Sequence, residues 1–149
     1  YTVTLHTIHY SGQGVGDPKW ITAVDMNNDG DLDLLVADEA GTNQIRWYKG
    51  GGSWDFADSF SVLNPTSGGV QVRMVRAIDM NGDGRMDVVY GTWRTDEIGW
   101  CEQLASQEFT KHVIGTADAV TWVDVADIDR DGELDVVCTA EKGNEVIIY

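Results

Sequence analysis

The nine-residue phrase D-x-[DN]-x-D-G-x-x-D occurs three times in this chain, and few folds can accommodate it at that frequency. The copies are residues 25–33 (DMNNDGDLD), 79–87 (DMNGDGRMD) and 127–135 (DIDRDGELD). Side-chain oxygens at positions 1, 3 and 5 converge on one point if the chain curls around it. The glycine at position 6 permits the sharp turn, because without a Cβ it reaches backbone angles that other residues avoid. Position 7 can offer its carbonyl, and the final Asp closes the far side. Hard oxygen donors in this number and charge suit Ca²⁺ better than Zn²⁺ or Cu²⁺.

The loops recur after 54 residues (Asp25 to Asp79) and then 48 (Asp79 to Asp127). A period near 50 residues marks a repeat architecture. The surroundings repeat as well. An apolar run precedes each loop: residues 20–24 (WITAV), 74–78 (MVRAI) and 122–126 (WVDVA). A β-branched or aliphatic run follows: residues 34–36, 88–90 and 136–138. After a polar break comes a third run: residues 44–48 (QIRWY), 97–101 (EIGWC) and 145–149 (EVIIY). Residues 109–114 (FTKHVI) form a fourth run, and residues 56–63 take that part in the first repeat.

Short β-branched and aromatic segments between Gly, Asp, Asn and Ser predict strands and turns, with no sustained 3.6-residue period. An EF-hand needs flanking helices and a Glu at position 12; strand flanks and an Asp at position 9 exclude it. Four strands per repeat of this length predict an all-β fold of β-propeller blades, three of them, each four-stranded and antiparallel. The repeats run approximately over 10–63, 64–114 and 115–149. Residues 3–8 (VTLHTI) align with 109–114, so residues 1–9 read as an outer strand without its blade, a clasp for a last blade. Propellers close with about 4–8 blades. The expectation is therefore that the chain assembles with copies of itself, as a dimer or a filament, or that a longer chain supplies the missing blades.

The order V-x-A-x-D-x-[DN]-x-D-G-x-x-D-V-V, then I-x-W-Y, then F-x-K-H-V-I resembles the FG-GAP/VCBS repeats, and the resemblance covers essentially the whole chain. The Phe-Gly and Gly-Ala-Pro words of the integrin version are absent, so the likeness is to the VCBS-type branch. The resemblance implies three Ca²⁺ sites. Side-chain ligands would be Asp25, Asn27, Asp29 and Asp33; Asp79, Asn81, Asp83 and Asp87; and Asp127, Asp129, Asp131 and Asp135. Asp31, Arg85 and Glu133 would add main-chain oxygens.

Charge supports this reading. The net charge is −15, and ten carboxylates occupy positions 1, 3, 5 and 9 of the three loops. Three Ca²⁺ ions would bring the charge to −9. The remaining acidity excludes nucleic acid and anionic membrane as partners, since both need basic surface. No apolar run approaches a membrane span.

Cys101 and Cys138 lie in non-equivalent positions and read as buried apolar residues. Trp47 and Trp100 share one repeat position, and Trp20 and Trp122 share another, as expected of packing between blades. Outside the loops, Trp93 and Arg94 are the candidates for ligand contact. They sit in the second repeat's connection between its second and third strands, away from the loop end. No catalytic set emerges, so an enzyme is not expected; the propeller of a polysaccharide-degrading enzyme is the least favoured alternative. The expected role is an extracellular or cell-surface structural or adhesion module, with a glycan-binding, lectin-type propeller as the alternative.

Overall fold

Each repeat folds into its own antiparallel sheet, in chain order from one edge to the other. The computed structural model describes residues 4–5, 17–38, 45–52, 56, 59–63 and 70–149. The first sheet runs β1 (Pro18–Val24), β2 (Asp33–Asp38), β3 (Ile45–Tyr48) and β4 (Ser59–Leu63). The second runs β5 (Val72–Ile78), β6 (Asp87–Thr92), β7 (Glu97–Gln103) and β8 (Phe109–Thr116). The third has β9 (Val120–Ala126), β10 (Asp135–Ala140) and β11 (Glu145–Ile148), with β11 at its edge. The chain is an all-β assembly of propeller blades. Two are four-stranded and the third has three strands among the described residues. Apart from Thr4 and Leu5, residues 1–9 lie outside the described residues, so the expected clasp strand does too. No helix among the described residues is long and apolar enough to cross a membrane.

The middle blade explains how the sheets stack. Along a strand, successive side chains point to opposite faces. Val75, Val88, Tyr90 and Cys101 join Leu35, Ala37, Ile45 and Trp47 in a core between the first and second blades. Their sequence neighbours Met74 and Val89, with Ile98 of the same blade, join Val123, Val136 and Cys138 in a second core, between the second and third blades. A sheet covered on both faces buries side chains of either orientation, and all six residues of β6 are buried, with Val88, Val89 and Tyr90 continuous along it. The repeated tryptophans divide accordingly: Trp47 is fully buried in the first core, and Trp100 packs against the second.

The blades fan out from their first strands. β5 packs against both β1 and β9, whereas the outermost strands β4 and β8 barely meet. At the inner edge the Arg76 guanidinium lies 5.8 Å from the Trp20 ring centre and 5.5 Å from that of Trp122. Its Nε donates to Asp124 Oδ1 at 3.1 Å. Gly91 keeps the second and third blades close, because a Cβ there would stand 2.4 Å from Val120 Cγ1.

Regular irregularities also repeat. The pairing of first with second strand slips between Pro18 and Trp20, between Val72 and Met74, and between Val120 and Trp122. All three bulges sit six residues before the loop's first Asp. Bulges increase local twist, so each blade receives the same twist at the end remote from its loop.

Candidate metal centre

The three loops join the first and second strands of their blades and stand side by side at one end. Asn28 Nδ2 of the first loop donates to the Gly84 carbonyl of the second at 2.9 Å. The second and third loops together line a groove of about 510 Å³, with Asp79, Asn81 and Glu133 among its walls.

Each loop winds its own side chains inward through backbone amides. The carboxylate at position 1 accepts from the glycine amide at position 6: Asp25 from Gly30 at 2.9 Å, Asp79 from Gly84 at 2.8 Å, Asp127 from Gly132 at 3.1 Å. The position 3 oxygen accepts from the amide at position 5, for Asn27, Asn81 and Asp129 alike at 3.1 Å. Asp29, Asp83 and Asp131 accept from the amides of Asp31, Arg85 and Glu133 at 3.0, 2.9 and 2.8 Å. These Asx-type turns fold each loop over its own side chains, and among the described residues the third loop alone gathers three carboxylates within 4.8 Å of one another.

Two backbone positions enable the winding. The glycines at position 6 have φ of 91°, 85° and 95°, with open space where a Cβ would stand, so conformation and not crowding selects glycine. Position 4 is also left-handed: Asn28 at 58°, Gly82 at 73° and Arg130 at 68°. Asn and Gly tolerate that region, whereas an arginine is strained in it. The sequence grammar leaves position 4 unspecified, although Asn and Gly in two of three copies carry the signal.

The ninth residue does more than close the loop. Asp33 Oδ2 accepts from the Met26 amide at 3.0 Å and Oδ1 from the Gly50 amide at 2.7 Å. Asp87 repeats this with Met80 at 3.0 Å and Gln103 at 2.8 Å. Both carboxylates are buried. Burial pushes the Asp87 carboxyl above the usual carboxylate range, the amides of Gln103 and Met80 pull it back, and Asp83 and Asp79 push it up again. Asp135 accepts from the Ile128 amide at 2.8 Å. Each oxygen keeps a second lone pair for a further partner. Gly50, just past β3, and Gln103, the last residue of β7, are partners that sequence reasoning missed, since a main-chain donor leaves no side-chain signature.

The donor sets differ in charge. Asp127, Asp129 and Asp135 place oxygens within 4.8 Å of one another. Oxygens sharing a Ca²⁺ at about 2.3–2.6 Å are separated by up to roughly 5 Å, so this set fits the ion. The first two loops have Asn at position 3 and bring in a cation. Lys49 Nζ lies 3.2 Å from Asp29 Oδ2, and the Arg85 guanidinium pairs with Asp83 Oδ2. The Asp31 amide, then the Asn27 side chain and Lys49, hold Asp29 below the usual carboxylate range. Among the described residues the third loop shows no such cation.

The other candidates lie at the opposite end. Trp93 follows β6 directly, and its amide donates to the Gln71 carbonyl at 3.0 Å. Its ring is engaged between blades, with Arg73 and Lys142 at 4.6 and 4.4 Å from its centre and Nε1 donating to Glu141 at 3.3 Å. Arg94 is exposed beside it. The connections leading into β1 and β5, residues 11–16 and 64–69, lie outside the described residues.

Comparison with known proteins agrees with this geometry. The FG-GAP-like repeat family matches residues 25–90 and 79–138, both windows opening on the first Asp of a loop. Over 110 residues the chain is 31% identical to cartilage acidic protein 1 of Mus musculus, covering 70% of this chain and 17% of that protein. The chain thus spans less than a fifth of that relative's length. Repeated blades, loops in register and the family match lead to one conclusion: the chain belongs to the FG-GAP-like repeat family.

Proposed function

We propose that the chain is a calcium-stabilised extracellular structural module of the adhesion type, from the VCBS-type branch of its family. The observation that carries this reading is the recurrence of the same Asx-type hydrogen bonds at positions 1, 3 and 5 of all three loops, with oxygens of Asp127, Asp129 and Asp135 within 4.8 Å of one another in the third. Asp25, Asn27, Asp29 and Asp33 would hold the first ion, Asp79, Asn81, Asp83 and Asp87 the second, and Asp127, Asp129, Asp131 and Asp135 the third. A bound Ca²⁺ would supply two positive charges and would take its hard oxygen ligands from these side chains, main-chain carbonyls and water. The chain's residues do the rest: the ninth Asp anchors the loop to the second strand, and the amide ladder keeps the oxygens pre-arranged.

Location follows from affinity. Loops of this ligand type in extracellular modules bind with Kd of about 10⁻⁴–10⁻³ M, which keeps them filled outside a cell and largely empty in cytosol. A relative named for cartilage and for acidity agrees with this reading, and a net charge of −15 makes this chain acidic as well. Calorimetric titration of the metal-stripped chain with CaCl₂ tests the proposal. Three equivalents bound with Kd near that range support it, and no binding up to ~10 mM contradicts it.

A further inference from the structure

We propose that one residue position outside the loops tunes their affinity for calcium: Lys49 weakens the first site and Glu102 strengthens the second. The inference rests on the calcium reading above and adds two residues that the loop grammar does not contain. Lys49 and Glu102 occupy the same place in their blades. Tyr48 pairs with Leu34 and Cys101 with Val88, each at the second residue of the neighbouring strand, and Lys49 and Glu102 come next in the chain. The residues after them, Gly50 and Gln103, both donate their amides to the ninth Asp of the loop. That backbone tie brings the third strand against the loop and puts one flanking side chain within reach of the donor set. The two blades fill the position with opposite charge.

Lys49 Nζ lies 3.2 Å from Asp29 Oδ2, at position 5 of the first loop. The same oxygen accepts from Asn27 Nδ2 at 2.9 Å. The ammonium neutralises one carboxylate of the set and competes for it with any bound cation. Glu102 acts the other way on the second loop. Its Oε1 accepts from Asn81 Nδ2, at position 3, at 3.2 Å, and the same Nδ2 donates to Asp83 Oδ2 at 3.1 Å. With its donor end engaged twice, Asn81 keeps Oδ1, the end that can ligate a cation, on the loop side, where it accepts from the Asp83 amide at 3.1 Å. Glu102 also adds a negative charge that none of the nine loop positions supplies. His112 holds it there: Nε2 hydrogen-bonds Glu102 Oε2 at 2.9 Å, and the ring stacks on Trp100 with centres 4.6 Å apart. Position 7 differs as well, Asp31 in the first loop and Arg85 in the second, so each side chain is judged within its own loop. A unit charge beside one ligand of a divalent ion, screened by solvent and salt, changes affinity about three- to tenfold.

The test is a site-resolved CaCl₂ titration of the intact chain by amide NMR. Gly30 and Gly84, whose amides donate to the first Asp of their loops, report the two sites separately. Lys49→Gln is expected to tighten the first site about three- to tenfold and leave the second unchanged, while Lys49→Arg keeps the wild-type affinity. Glu102→Gln retains an acceptor for Asn81 and removes the charge. It is expected to weaken the second site by a similar factor and leave the first unchanged. Both effects shrink in ~1 M KCl, where screening acts over about 3 Å. A merely structural role would loosen binding in both variants, so weaker binding by Lys49→Gln would overturn the proposal. Unchanged affinities in both variants, in a chain that binds calcium, would overturn this inference alone. A wild-type spectrum unmoved by ~10 mM CaCl₂ would overturn the calcium reading and this inference with it.

Discussion

The main-chain amide of Gly50 donates to Oδ1 of Asp33 at 2.7 Å, tying the end of the first blade's third strand to the last residue of its loop. The loop is thereby fixed to two strands without any ion, since Asp33 is also the first residue of β2. In this blade residue 50 must be glycine, because a Cβ there would stand 2.2 Å from the Leu32 carbonyl oxygen. Gln103 and Asp87 repeat the link in the second blade.

Asp33→Ala should therefore destabilise the fold even where Ca²⁺ is absent. The substitution strands the amides of Met26 and Gly50 in a buried setting. Each stranded donor costs about 1–3 kcal/mol, so a loss of about 2–6 kcal/mol is expected in urea unfolding with excess chelator. A variant destabilised only when Ca²⁺ is present would mean that the carboxylate acts through the metal alone.

Arg130 offers the opposite change. Its φ of 68° places an arginine where Asn28 and Gly82 stand in the other loops. Left-handed backbone costs non-glycine residues about 1–2 kcal/mol, and Asn tolerates it better. Arg130→Asn should stabilise the chain by about 0.5–1 kcal/mol, read as a higher denaturation midpoint with unchanged slope.

Cys101 and Cys138 are free and buried, as the sequence implied. Burial pushes the Cys101 thiol up to about 12, with Glu97 and Asp87 adding to the shift and Lys111 opposing it. Burial also raises Cys138. A folded pKa above the unfolded value near 8.5 stabilises the fold fully below that value. The contribution is lost as pH climbs toward the folded value. Native protein at pH 8 should leave both thiols unreacted with a disulfide reagent, and denaturant should release two per chain. Rapid labelling of the native protein would contradict the packing of both inter-blade cores.

The strands were legible because short β-branched and aromatic runs alternate with Gly- and Asp-rich turns, and the loops because their oxygen-bearing residues follow a fixed spacing. Residues 97 and 109 begin strands in the structure as they do in the sequence pattern. Other features were not legible, for physical reasons. The bulges beside Trp20, Met74 and Trp122 fall at positions of three different residue types, Lys19, Arg73 and Thr121, so no residue marks them. The amides of Gly50 and Gln103 belong to backbone that every residue shares. Trp93 found Arg73 and Lys142 because two blades meet there, a juxtaposition that spacing along one chain does not encode.

Thermal unfolding of the intact chain in Ca²⁺ and in excess EDTA tests the central claim most directly. At ~10 mM Ca²⁺, sites with Kd of about 10⁻⁴–10⁻³ M each add about 1.4–2.7 kcal/mol. A chain of this size shifts its Tm by about 2–4 °C per kcal/mol. Three filled loops predict a Tm roughly 10 °C or more higher in Ca²⁺ than in EDTA, and superimposable melting curves would contradict structural calcium.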